Sequence, residues 1–283
     1  MRLALIQTKQ NELHDFERDV PLQTDKIEHW QKAIVEQNYR LIETVAHERC
    51  DLIVTTEAIN FCGRPQWIGS GWRQYLRDTQ QEMQRRLSAL AKQANSYLVV
   101  GVYRCVGEDI VHNSAIIYDR TGAEMAVYDK MHLPGEENDY ITPGEKTLCF
   151  DVDGCKVGVC ICWDAQFPET HRMLALAGAH LVVCPTWGWE SIYGHARAYE
   201  NGIYVAAAMG IPFRSPIEGI RTPSEVVAPD GTVLARASFD QPEALICDFD
   251  PMAQRELWRM RMSGRKTACY ASLLGKEAAG EKA

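Results

Sequence analysis

The sequence predicts an α/β layered domain, and three observations predict it. Short apolar, β-branched runs alternate with longer stretches of helical periodicity. Several runs are almost continuously apolar, as strands buried on both faces are. No Pro- or Ser-rich linker divides the chain. At roughly 100–200 residues per domain, the length alone allows one large domain or two small ones. The absence of a linker decides for one, over residues 1–270, followed by a polar C-terminal tail at residues 271–283.

The elements follow in order. Residues 3–7, Leu-Ala-Leu-Ile-Gln, read as a first strand. Residues 26–47 place Ile27, Trp30, Ile34, Leu41, Ile42 and Val45 at helical spacing, and residues 52–55 form a short buried strand. Met83, Leu87, Leu90, Ala91 and Ala94 mark one face of an amphipathic helix over 83–94. Residues 97–103 are a strand. Residues 114–118 and 125–128 flank Asp119-Arg120-Thr121-Gly122, a β-hairpin whose glycine supplies positive φ. In the second half, 156–161 and 181–184 are apolar strands, separated by a helix over 169–176 that stops at Ala177-Gly178. Residues 195–202 read as helix and 204–208 as strand. A second hairpin joins 225–227 to 233–235 through Pro229-Asp230-Gly231, and 244–249 is the last strand.

Composition narrows the function classes. The net charge is -8 and the basic residues are scattered, with no basic stripe to track nucleic acid. No run approaches the ~18 apolar residues of a membrane span. The N-terminal residues are apolar too briefly for a signal peptide, which points to a cytoplasmic, reducing setting. There the ten cysteines do not form a disulfide framework. Most lie in apolar runs, as Cys184 does in Leu181-Val182-Val183-Cys184, where Cys behaves as a small hydrophobe.

One cysteine stands apart. In Val157-Gly158-Val159-Cys160-Ile161-Cys162-Trp163-Asp164 the apolar strand ends at Cys162, and Phe167-Pro168-Glu169 starts a helix. A nucleophile on a strand-to-helix turn is exposed at the strand end, beside backbone N–H groups able to receive an oxyanion. A regular strand would turn Cys160 and Cys162 to the same face, with Cys160 the deeper, structural one. A free thiol ionises near pH 8.5 and needs activation, and no histidine offers itself as a partner. Glu57 follows the strand at 52–55, and Lys130 follows Ala126-Val127-Tyr128. Ligand sites in α/β proteins gather at such strand ends. Taken one at a time, the residues favour the plainer readings, a surface carboxylate at Glu57 and a solvated charge at Lys130.

Together these segments resemble the nitrilase superfamily, carbon–nitrogen hydrolases with a Glu–Lys–Cys triad, in its amidase and N-carbamoyl amidohydrolase branch. The strongest similarity is Gly158-Val159-Cys160-Ile161-Cys162-Trp163-Asp164-Ala165-Gln166-Phe167-Pro168-Glu169. Tyr128-Asp129-Lys130-Met131-His132-Leu133, Tyr140-Ile141-Thr142-Pro143-Gly144 and Arg197-Ala198-Tyr199-Glu200-Asn201 add to it. The resemblance implies a four-layer α-β-β-α sandwich that pairs into homodimers or higher oligomers. It implies Glu57 as general base, Lys130 as oxyanion partner and Cys162 as nucleophile, with the backbone N–H of Trp163 as a second oxyanion donor. Glu137 matches the place of an auxiliary carboxylate, with Glu136 as the alternative. The sequence departs from the family in one respect: Thr56 stands where Pro usually precedes the catalytic Glu.

The implied reaction hydrolyses a small amide or N-carbamoyl compound through a Cys162 thioester, with no metal or cofactor. The alternatives are a nitrilase or an acyltransferase working through the same acyl-enzyme. True nitrilases usually carry Glu after the Cys-Trp pair, so Asp164 favours amides or N-carbamoyl compounds. Candidate substrate-binding residues beside these segments are Asn60, Phe61, Trp187, Trp189 and Glu190. Both tryptophans could instead be packing residues, Glu190 could be solvated, and Arg214 could pair with a carboxylate or cover a surface. Substrate charge stays open.

Overall fold

The computed structural model describes residues 1–15, 22–61, 71–213 and 217–270. Cys62, Arg214 and the tail at 271–283 lie outside the described residues.

Two six-stranded sheets stack face to face. The first holds β1 (Arg2–Gln7), β2 (Leu52–Val54), β3 (Tyr97–Val106), β4 (Ile110–Tyr118), β5 (Glu124–Asp129) and β12 (Glu243–Asp248), in the order β12-β1-β2-β3-β4-β5. The second holds β6 (Leu148–Val152), β7 (Cys155–Val159), β8 (Leu181–Thr186), β9 (Tyr204–Met209), β10 (Glu225–Val227) and β11 (Val233–Arg236), in the order β11-β10-β9-β8-β7-β6. Both sheets follow one plan. A parallel triplet, β1-β2-β3 or β7-β8-β9, is flanked by one antiparallel strand on one side and an antiparallel pair on the other.

The near-continuous apolar runs follow from burial on both faces. In β1, Leu3 and Leu5 enter the layer between the sheets, while Ala4 and Ile6 face helices. Val157, Val159, Leu181 and Val183 meet the first sheet, while Val182 and Cys184 face outward to helices. Helices α1 (Thr24–Val45) and α2 (Trp72–Ala94) cover the first sheet with Tyr39, Ile42, Met83, Leu87 and Leu90. Helices α3 (Pro168–Leu176) and α4 (Ser191–Asn201) cover the second, and α5 (Arg255–Ser263) adds Trp258 and Met262. The result is the expected α-β-β-α sandwich.

Most elements lie where the sequence places them. Helix α2 begins well before the predicted residue 83, because Trp72 and Leu76 bury in a separate cluster with Phe61, Tyr103, Leu133 and Ile141. Strand β6 and helix α5 carry weaker apolar patterns and were not expected. None of the residues of α5 is buried.

Candidate active site

Glu57 is placed by a close crossing. Beyond β2, Thr55 N–H donates to Val99 O at 3.0 Å, and Ile59 N–H donates to Gly101 O at 2.8 Å. The chain thereby lies directly over β3. A Cβ at position 101 would sit 2.5 Å from Thr56 O and 2.7 Å from Glu57 Cα, so the crossing requires Gly101. Thr56, at the position of the family's usual Pro, meets the buried Thr8 hydroxyl at 3.1 Å. Lys130 directly follows β5, with its N–H on Asn113 O at 2.8 Å. A 3-10 turn at Gly135–Asp139 then brings Glu137 back beside it.

These side chains form a buried charged cluster. Lys130 Nζ donates to Glu57 Oε1 at 2.9 Å and to Glu137 Oε2 at 2.8 Å. Asn113 Nδ2 donates to Glu57 Oε1 and Glu137 Oε1, both at 2.8 Å, and the Tyr103 hydroxyl donates to Glu137 Oε1 at 3.3 Å. Burial alone would lower the Lys130 pKa, but Glu57, Cys162 and Glu137 facing it raise it well above its ordinary value. The ammonium is therefore fixed. Burial raises the pKa of Glu137, opposed by Lys130 and reinforced by the Glu57 charge. Glu136 is exposed, so Glu137 is the carboxylate on Lys130.

Cys162 enters from the other sheet. Strand β7 ends at Val159, and Cys162 opens a 3-10 turn, Cys162–Gln166, with φ at +44°. A non-glycine residue there is strained and needs a reason to stay. Asp164 supplies it. Its Oδ2 accepts from Ile161 N–H at 2.9 Å and from the Tyr128 hydroxyl at 2.6 Å, and its Oδ1 accepts from His132 N–H at 3.0 Å. His132 Nδ1 lies 2.8 Å from the same oxygen, and its ring stacks on Phe167 at 4.0 Å. The turn overturns the expectation that Cys160 and Cys162 share a face. Cys160 sits in the helix-side core beside His171, while Cys162 packs against the layer between the sheets. Burial pushes the Cys162 thiol pKa up, and the Glu57 charge pushes it further; Lys130 and a hydrogen bond with Thr186 oppose this. The resting group is the neutral thiol.

Glu57, Lys130, Glu137 and Cys162 line one cavity of about 360 Å³, together with Phe61, Tyr103, Glu136, Tyr140, His14 and Trp187. Three predicted substrate-binding side chains lie elsewhere. Asn60 is buried against β3, holding Tyr103 N–H and O at 2.8 and 2.7 Å. Trp189 belongs to the helix-side core, its Nε1 donating to the buried Glu225 at 2.9 Å. Glu190 precedes α4, with its backbone paired to Arg221 and its carboxylate hydrogen-bonded to Tyr193. The Trp163 indole is exposed, and Trp163 is not among the residues that line the cavity. Sequence reasoning missed Asn113, Tyr103 and His14. The one signal for Asn113 is a polar residue within an apolar strand, and nothing local marks the other two. Among the described residues no cluster of His, Cys, Asp or Glu is placed to hold a metal ion. No helix among them is long and apolar enough to cross a membrane.

A family profile described as carbon-nitrogen hydrolase matches residues 2–259. The chain belongs to the carbon–nitrogen hydrolase family. A hydrolase of Pseudomonas protegens, from the pqqF 5′ region, is 32% identical to this carbon–nitrogen hydrolase over 200 residues, covering 67% of this chain and 69% of its own. The Homo sapiens omega-amidase NIT2 is 31% identical over 183 residues, covering 56% of this chain and 64% of its own. The amidase from Nesterenkonia sp. AN1 superposes with a TM-score of 0.76 at 24% identity, over 96% of this hydrolase and 99% of the amidase. A carbon-nitrogen hydrolase from Helicobacter pylori gives 0.77 at 23% identity, over 97% and 98%. These likenesses of under 25% identity extend the shared sandwich to solved structures.

Proposed function

We propose that this carbon–nitrogen hydrolase cleaves small amides through a thioester on Cys162. The observation that carries the reading is the meeting, in one cavity, of a strained thiol from the second sheet with a carboxylate–ammonium–carboxylate cluster from the first. The names of the amidase relatives support amides over other carbon–nitrogen substrates. In a glutamate-to-glutamine mutant of the Nesterenkonia amidase the acetamide moiety of fluoroacetamide is covalently added at the active-site cysteine, which supports a nucleophilic role for Cys162 Sγ here.

The thiol is protonated at rest, so attack and deprotonation occur together. As Sγ bonds to the carbonyl carbon, Glu57 takes the thiol proton. The carbonyl oxygen becomes an oxyanion, held by the Lys130 ammonium and the Trp163 backbone N–H; losing one such donor typically costs about 2.7–4 kcal/mol in the barrier. Glu57 passes its proton to the departing nitrogen, and the tetrahedral centre collapses to the thioester, releasing ammonia. A water then loses a proton to Glu57 and attacks the thioester; the tetrahedral centre expels the Cys162 thiolate, which takes that proton back from Glu57, and the carboxylic acid leaves. Glu137 holds Lys130 from the opposite side and keeps the ammonium aimed while Glu57 changes charge.

The test is Cys162→Ala, compared with the parent on short amides by ammonia release and intact-protein mass. Turnover should vanish, together with the acyl adduct seen on the parent, while circular dichroism stays unchanged. Ammonia release by the variant at a parent-like rate would remove Cys162 from the reaction. Including nitriles and hydroxylamine exposes a nitrilase or an acyltransferase outcome.

A further inference from the structure

Asn113 is buried inside β4 and is not among the residues that line the cavity. Both protons of its side-chain amide nevertheless go to the charged cluster. Nδ2 donates to Glu57 Oε1 and to Glu137 Oε1, each at 2.8 Å. The other end of the amide, Oδ1, is buried and has no partner among the described residues. A buried acceptor left unpaired is destabilising. The amide cannot turn over to relieve it, because Oδ1 would then face two carboxylate oxygens, acceptor against acceptor. The main chain of the same residue serves the third member of the cluster: Asn113 O accepts from Lys130 N–H at 2.8 Å.

The four oxygens of the two carboxylates are not used alike. Glu137 Oε1 accepts from Asn113 and from the Tyr103 hydroxyl, and Glu137 Oε2 accepts from Lys130. Glu57 Oε1 accepts from both Asn113 and Lys130. Glu57 Oε2 accepts from no donor among the described residues, and Glu57 lines the cavity with Cys162. A proton added to Glu137 would oppose one of three donors, whereas a proton on Glu57 Oε2 disturbs none.

We propose that Asn113 is a positioning residue that fixes Glu57 through Oε1 and so leaves Oε2 as the oxygen that takes and returns the proton. This rests on the amidase reading of the same cavity. In acylation the Cys162 S–H bond breaks as an O–H bond forms at Oε2, and the sulfur electron pair goes to the carbonyl carbon. Oε2 later gives that proton to the departing nitrogen. Lys130 and Asn113 keep their hold on Oε1 throughout. Losing the amide frees the carboxylate to turn, and it withdraws a donor that favours the charged form. The groups facing Glu57 are Lys130 and Glu137 beyond β5, Cys162 from the second sheet, and Asn113 itself. Of these, only Asn113 can be replaced by a neutral side chain without changing the charge of the cluster or removing the thiol.

The experiment follows kcat and KM against pH for ammonia release from acetamide, propionamide and butyramide. It compares the parent with Asn113→Ala, which leaves room for water, and Asn113→Asp, which keeps the shape, each checked for fold by circular dichroism. The acid limb of kcat/KM follows protonation of the free enzyme's base. Asn113→Ala should move that limb up by roughly one pH unit. It should also lower the plateau kcat by on the order of tenfold, with little change in KM. Asn113→Asp sets a third carboxylate against the other two and should move the limb further in the same direction. Tyr103→Phe withdraws a donor from Glu137 alone and should leave the limb in place. An acid limb unmoved in the folded Asn113 variants, a loss expressed mainly in KM, or an equal shift in Tyr103→Phe would overturn the positioning role while leaving the amidase reading standing. Failure of the parent to release ammonia from any of the three amides, with no adduct on Cys162, would overturn both.

Discussion

At the scale of single residues, the site depends on one charge being held by two others. Lys130 is almost wholly buried between Glu57 and Glu137, and removing it leaves two carboxylates facing each other away from water. Lys130→Ala should abolish turnover and also cost about 3–5 kcal/mol of stability, read by urea unfolding, because breaking a buried pair leaves uncompensated charge. An unchanged unfolding midpoint would show the cluster to be better hydrated than its burial implies. The thiol gives a second residue-scale prediction. With burial and the Glu57 charge both pushing its pKa up, alkylation of Cys162 by iodoacetamide should keep accelerating beyond the ordinary thiol value of about 8.5. A rate plateau below that value would mean a preformed thiolate. The triad positions were legible because each ends an apolar run. Asn113 was not, because one polar residue among apolar neighbours in β4 looks the same whether it faces a site or closes a hydrogen bond. His14 was invisible for another reason: its ring is recruited by a capping turn whose importance depends on contacts with Trp187, far along the chain.

At the scale of elements, the Cys162 turn is a short, strained piece held from outside. Asp164 ties Ile161 in its own turn to Tyr128 on β5 and to His132 beyond it. Asp164→Asn replaces one accepting oxygen by a donor and sets that donor against groups that themselves donate. The expected result is a fall in kcat of about a hundredfold with a small change in KM, since the thiol would be misaimed rather than the cavity altered. A loss confined to KM would place Asp164 in binding instead. This also changes the meaning of the Asp164 seen in sequence: its carboxylate is buried under the turn and is satisfied by protein donors. The hairpins were legible from their turn chemistry, because Gly122 and Gly231 sit at positive φ between apolar runs. The end of β7 was not, since Cys160 and Ile161 continue the apolar pattern after the ladder has stopped. Helix α5 escaped because it is bound by the edges of Trp258 and Met262 rather than by a buried stripe.

At the scale of the whole molecule, two histidines in different layers act on stability in the same direction. His14 and His171 are both driven by burial from 6.5 to about 3. Between these values the unfolded chain binds protons that the folded chain refuses, so folding stability falls as pH drops from about 6.5 towards 3. The slope is at most about 1.4 kcal/mol per pH unit for each histidine. Chemical unfolding across that window should show the decline, and His171→Asn should make it shallower; a flat profile would mean that both rings are protonated in place. The layered class was legible because both faces of the strands are apolar, yet the pattern could not say which strands share a sheet. That division matters for the chemistry. Glu57 and Lys130 follow strands of one sheet, whereas Cys162 follows a strand of the other. The groups proposed to react are therefore mounted on two separate plates, and in that proposal the apolar filling between the plates sets the gap that the proton must cross. Leu181→Ala thins that filling, while Leu87→Ala removes the same atoms from the helix side of the first sheet. Both should cost about 2–5 kcal/mol in stability, but only the first should slow kcat in the fully folded enzyme. On the proposed mechanism the hydrophobic core of this hydrolase is a spacer in its catalytic apparatus, and its thickness becomes a kinetic parameter.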